Sequence, residues 1–144
     1  SGTLNVPGIA GLGKACELAG ENYWDDSARV SLLRTKLEQA LTESGKVSIN
    51  GNIKNRLPNT SNLCFHGFVA QALLNQVPEL ALATGSACSS ALPEPSHVLL
   101  SMGLSKDDAY SSIRFSLGRF TTDDEIDYVI KRFRDLIDKK KDDR

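Results

Sequence analysis

Apolar positions recur at helical spacing in two places near the start of the chain. Ile9, Leu12, Gly13, Cys16 and Ala19 form the first stripe. It is opened by Pro7, whose missing amide costs nothing in the first turn of a helix. This stripe predicts a packed helix in which Cys16 serves as a small hydrophobe. Val30, Leu33, Leu37, Ala40 and Leu41 form the second stripe, with Arg29, Arg34, Lys36 and Glu38 mostly off it. Asp25 or Asp26 is placed to cap that second helix, and Gly45 to close it.

Beyond Gly45 the period shortens. Lys46–Asn50 alternates weakly and ends in Asn50-Gly51, a turn signal between short strands, and residues 54–58 read as a connecting loop. A second strand is expected over 62–66, with Leu63 and Phe65 on one face and Cys64 on the other. Residues 68–75 predict a short helix, and Leu80-Ala81-Leu82-Ala83 a brief buried strand. A further short helix is expected over 96–102, closed by Gly103, after which Asp107 and Asp108 read as capping carboxylates of another turn. Ser112 to Leu117 alternates cleanly, so Ile113, Phe115 and Leu117 point inward and Arg114 points outward. Thr122-Asp123-Asp124-Glu125 is a capping box. Behind it Ile126, Val129, Ile130, Phe133 and Ile137 make a continuous stripe, ending in the solvated run Lys139-Lys140-Lys141. The sum is an α/β unit: a small, mainly antiparallel sheet covered by helices.

A chain of 144 residues with 40 % hydrophobic content has enough apolar material for one core, so residues 1–144 read as a single domain. The formal net charge of −1 gives no reason to expect nucleic acid or a membrane surface as partner. The apolar runs are too short for a membrane span, and the first residues lack the order of a signal peptide. Cys16, Cys64 and Cys88 are odd in number and widely spaced, which announces neither a disulfide framework nor a zinc site. A cytoplasmic location is expected, with an organelle matrix the other option.

The candidate chemistry centres on Cys88. It lies in Ala83–Pro95, a stretch of Ala, Thr, Gly and Ser ended by Pro93 and Pro95, where no side chain is able to bury the sulfur. A thiol in such a loop is either a reactive nucleophile or an indifferent loop cysteine. Arg114 on an outward strand position is either a solvated arginine or a clamp for a carboxylate, which its paired donors match. Of the two histidines, His66 near a strand end reads as structural for want of a second ligand at metal spacing.

The run from Thr84 to Ala91, Thr-Gly-Ser-Ala-Cys-Ser-Ser-Ala, with Pro-Glu-Pro-Ser-His-Val-Leu after it, resembles the active-site loop of the NifS-like cysteine desulfurases in its long, extended form. Ser111–Thr122 is similar to the substrate-binding strand of that family, and Ser1–Gly13 to the segment where its small domain begins. Residues 67–76 depart from the family wording. The resemblance implies the small domain of a fold-type I pyridoxal-phosphate enzyme, corresponding to the carboxy-terminal part of a desulfurase. It implies that Cys88 takes sulfur from L-cysteine as a persulfide, leaving L-alanine. Arg114 would then grip the substrate carboxylate, and Thr3 would donate to the phosphate of pyridoxal 5'-phosphate in the neighbouring subunit of a homodimer. The partner implied is an iron–sulfur scaffold or a sulfur-carrier protein for tRNA thiolation, with no metal in the site. No lysine here sits in the family's cofactor-carrying motif, so the chain alone is expected to hold no cofactor and to be inactive. Two other readings stay open: a non-catalytic sulfur-accepting or scaffold-docking module, and a related lyase acting on selenocysteine or cystine.

Overall fold

Two long helices cross one face of a small antiparallel sheet in the computed structural model, which describes residues 2–84 and 94–142. In chain order the elements are α1 (Val6–Thr42), β1 (Val47–Ile49), β2 (Thr60–Phe65), α2 (Ala70–Leu74), α3 (His97–Ser101), α4 (Lys106–Tyr110), β3 (Ser112–Ser116) and α5 (Asp123–Asp142). The strands lie in the order β1-β2-β3 with both pairings antiparallel, placing Ile49 opposite Leu63 and Arg114 opposite Asn62. The small antiparallel sheet under helices is thus the architecture of the described residues.

Strand alternation decides which face is dry. Leu63, Phe65, Ile113 and Phe115 point into one core, where Leu37 and Leu41 of α1 and Ile130, Phe133 and Ile137 of α5 cover them. Phe133 packs its ring 5.2 Å from Phe65 and 5.3 Å from Phe115, distances at which aromatic pairs attract beyond simple area burial. The capping box forms as its spacing predicts: Glu125 N–H donates to Thr122 Oγ1 at 3.2 Å and Thr122 N–H to Glu125 Oε2 at 2.8 Å. Gly45 takes φ +67°, a left-handed conformation that lets the chain leave α1 and enter β1 without steric cost.

Three expectations are corrected. The first concerns continuity: the two predicted helices are one, because nothing between Ala19 and Asp25 breaks the backbone ladder. Gly20 only weakens it, and Asp26, instead of capping, aims its carboxylate at Arg29 (4.0 Å) and Arg119 (3.6 Å). Second, the early stripe is not packed. The buried residues of α1 begin at Val30, whereas Val6, Ile9, Leu12, Cys16 and Trp24 are exposed. With a rise of 1.5 Å per residue the helix is roughly 55 Å long, too long for this sheet to cover. Third, Leu80–Ala83 is not a strand. Only Ala83 pairs with β3, exchanging hydrogen bonds with Arg114, since Leu80 and Leu82 turn instead onto the core as partly buried side chains.

Candidate active site

The outward positions of β2 and β3 floor a cleft of about 330 Å³. Thr60, Asn62 and Arg114 rise from the sheet, Asn52 and Arg56 come from the loop between β1 and β2, and Met102 follows α3. Arg114 is there because strand alternation buries its neighbours: Ile113 and Phe115 are 0 % and 2 % exposed, and the residue between them must face the other way. No carboxylate among the described residues pairs with the Arg114 guanidinium. A cation left free above a concave surface is a ready site for a carboxylate, which it can hold through two parallel N–H donors.

The loop wall of the cleft is fixed by a buried charge cluster that the apolar pattern did not announce. Arg34 and Glu38, expected off the apolar stripe, are 8 % and 3 % exposed on the packed side of α1. Arg56 grips Glu38 in bidentate fashion, Nη1 donating to Oε1 at 2.6 Å and Nη2 to Oε2 at 2.7 Å. Arg34 Nη1 donates to the carbonyls of Leu57 and Pro58, and its Nε lies 3.8 Å from Glu38. Burial, then the nearby Arg56, pulls the Arg34 guanidinium below its ordinary pKa. The available signal was the i, i+4 spacing of Arg34 and Glu38, each directly after a core leucine. Asn50 closes the floor, its Nδ2 donating to Asn62 Oδ1 at 2.7 Å and to Ser112 Oγ at 2.9 Å.

Of the sequence-predicted site residues, Arg114 lies at this cleft. Cys88 falls outside the described residues. The flanks of its segment do reach the site: Ala83 is bonded to Arg114 through the backbone, and Ser96 lines the cleft. Thr3 is elsewhere, exposed in the segment before α1, and no residue before Asn50 lines the cleft. Neither does any lysine among the described residues. The structure therefore does not bring Thr3 and Arg114 together within one chain.

Residues 1–129 match the model of the aminotransferase class-V family. The cysteine desulfurase IscS of Anaeromyxobacter sp. (strain K) is 46 % identical over 140 residues, covering 96 % of this chain and 35 % of that protein. IscS of Serratia proteamaculans (strain 568) is 43 % identical over 142 residues, covering 99 % of this chain and 35 % of that protein. The chain thus spans 35 % of the length of these curated relatives. Among solved structures, a NifS-like protein from Rickettsia africae ESF-5 superposes with a TM-score of 0.82 at 33 % identity, over 96 % of this chain and 36 % of that one.

Proposed function

The chain belongs to the aminotransferase class-V family, and on that premise we propose that it is the small domain of a cysteine desulfurase, supplying the carboxylate clamp and the sulfur-accepting thiol. The observation that carries this reading is the Arg114 guanidinium at the cleft, unpaired with any carboxylate among the described residues, on a backbone bonded to Ala83, five residues before Cys88. Arg114 binds the carboxylate of L-cysteine and turns the substrate so that its sulfur faces the Cys88 segment. Cys88 stands five residues along the chain from Ala83. Its thiolate attacks the substrate sulfur, and an S–S bond forms as the substrate C–S bond breaks. The electron pair of that C–S bond stays with the substrate carbon, which takes up a proton, and L-alanine is left with a persulfide on Cys88. The thiolate, not the thiol, is the attacking form, and a free thiol is already a few per cent thiolate near pH 7. The persulfide sulfur then passes to an acceptor protein, an iron–sulfur scaffold or a sulfur carrier.

The family's cofactor is pyridoxal 5'-phosphate, which when bound supplies an electron sink that loosens the substrate C–S bond. The donors present suit its anionic end in part. The exposed Thr3 hydroxyl is free to donate to a phosphate held by another subunit, while the carrying lysine and the groups around the ring belong to the portion of the relatives beyond this chain's span. A homodimer in the cytoplasm or an organelle matrix is the proposed setting; no helix among the described residues is long and apolar enough to cross a membrane.

The test joins the chain to the remaining portion of a relative and follows sulfide and alanine release from L-cysteine. Cys88→Ser should abolish sulfide release while leaving cofactor absorbance intact. Arg114→Lys should raise KM for cysteine by roughly 10–100-fold, the loss expected when a bidentate pair becomes a point charge. Wild-type kinetics in either variant would refute the assignment of that residue.

A further inference from the structure

One cross-strand row from Arg114, on the same face of the sheet, the end of β2 meets α4. Cys64 and Ser112 face each other there, as Asn62 and Arg114 do in the next row. Cys64 is 1 % exposed, while the side chains of His66 and Asp108 are half-exposed and open the group to solvent. We propose that Cys64, His66 and Asp108 form a zinc site, with the buried sulfur as anchor and a fourth position open to water. The site is independent of the desulfurase reading.

Cys64 Sγ lies 3.6 Å from His66 Nδ1 and 3.6 Å from Asp108 Oδ1, and Nδ1 lies 3.3 Å from Oδ1. A tetrahedral zinc with bonds of ~2.3 Å to sulfur and ~2.0–2.1 Å to nitrogen and oxygen sets its donors about 3.3–3.6 Å apart. All three edges agree with that figure. The imidazole–carboxylate edge is meanwhile longer than the ~2.7–2.9 Å of a good charge-assisted hydrogen bond. Proton count points the same way: one thiol hydrogen faces both Asp108 Oδ1 and the Asp108 carbonyl, each 3.6 Å from the sulfur.

Supporting contacts hold the ligands in aim. Ser48 Oγ sits 2.8 Å from His66 Nε2, so a proton on Nε2 leaves the Nδ1 lone pair free for the metal. Ser105 Oγ donates to Asp108 Oδ2 at 2.7 Å and accepts from the Asp108 amide at 3.1 Å, turning Oδ1 toward the sulfur. Bound zinc replaces the Cys64 thiol proton, which leaves to solvent, and no redox change occurs. A thiolate with an imidazole disfavours magnesium and calcium. A Cys-His-Asp nucleophilic triad is excluded by geometry, because thiol and carboxylate meet the same ring nitrogen instead of opposite ones.

Zinc and cobalt(II) binding to the purified protein tests this. One zinc per chain is expected after dialysis, and cobalt(II) should give tetrahedral visible bands with a thiolate charge-transfer band. His66→Asn and Cys64→Ser should each weaken zinc at least roughly 100-fold, and Ser48→Ala roughly 10-fold. Because His66 is half-exposed, His66→Asn serves as the decisive variant should Cys64→Ser fail to fold. Less than stoichiometric zinc, a cobalt spectrum without the sulfur band, unchanged affinity in His66→Asn, or binding lost only in Cys16→Ser or Cys88→Ser would each overturn the proposal.

Discussion

Changing Glu38 to Gln removes one negative charge from a buried cluster that holds two positive ones. Arg34 and Glu38 are almost fully buried, and the Arg56 side chain is 17 % exposed. In the native cluster the carboxylate satisfies both terminal nitrogens of Arg56 and lies 3.8 Å from Arg34. Glu38→Gln leaves two guanidinium groups facing each other with no anion, and stranding buried charge in this way costs about 3–5 kcal/mol. Arg56→Gln instead leaves Arg34 and Glu38 as a balanced, if poorly aligned, pair, so it should cost less, about 1–3 kcal/mol. Unfolding entropy of ~2.1 cal/mol/K per residue makes 1 kcal/mol worth about 3 °C for a chain of this length, so Glu38→Gln should lower Tm by about 10–15 °C. Thermal and urea unfolding followed by circular dichroism measure both variants, and hydrogen exchange over residues 50–59 reports whether the cleft wall loosens with them. An Arg56→Gln variant less stable than Glu38→Gln, or two variants both within 1 kcal/mol of the parent on this scale, would show that the charge imbalance is not what matters.

Three other expectations follow from individual residues. The Ser61 hydroxyl is buried on the core face without a hydrogen-bond partner, so Ser61→Ala should stabilise the fold by about 1 kcal/mol, read from the urea midpoint at unchanged m-value. Burial, reinforced by the Asp108 carboxylate, pushes the Cys64 thiol up to about 11, leaving only about one thiolate in a thousand at pH 8. In protein kept zinc-free with a chelator, iodoacetamide should therefore modify the exposed Cys16 well before Cys64, with Cys64 labelling rising only as pH approaches 11; equal rates at pH 8 would contradict the burial argument. Residues 6–24 of α1 lack packing partners among the described residues, and an unsupported helical stretch is only marginally stable. Their amides should exchange orders of magnitude faster than those of residues 30–41, and comparable protection would mean that another surface covers them.

Where a signal lies within one or two turns of chain, it could be read directly. The α5 stripe, the Thr122–Glu125 box, the left-handed Gly45 and the alternation that turns Arg114 outward all depend on neighbours at most four or so residues away, and all appear in the structure. The candidate cleft was legible only in part. Arg114 was placed by its strand, but the walls facing it come from Asn52, Arg56 and Met102, brought together by pairing and loop closure.

Asp25 and Asp26 mark the limit of local reading, since a short carboxylate serves a helix start and a tertiary ion pair equally well. Asp26 went to Arg119, more than ninety residues away, and two predicted helices became one. Cys64 and Asp108 are 44 residues apart and meet only because β2 pairs with β3 beneath α4. By itself, then, the sequence determined the periods, the caps and the faces, because hydrogen bonding and side-chain direction repeat along the backbone. Only the tertiary structure decided which charges lie buried together and which thiol meets a histidine and an acid, because those encounters depend on the register of segments far apart in the chain.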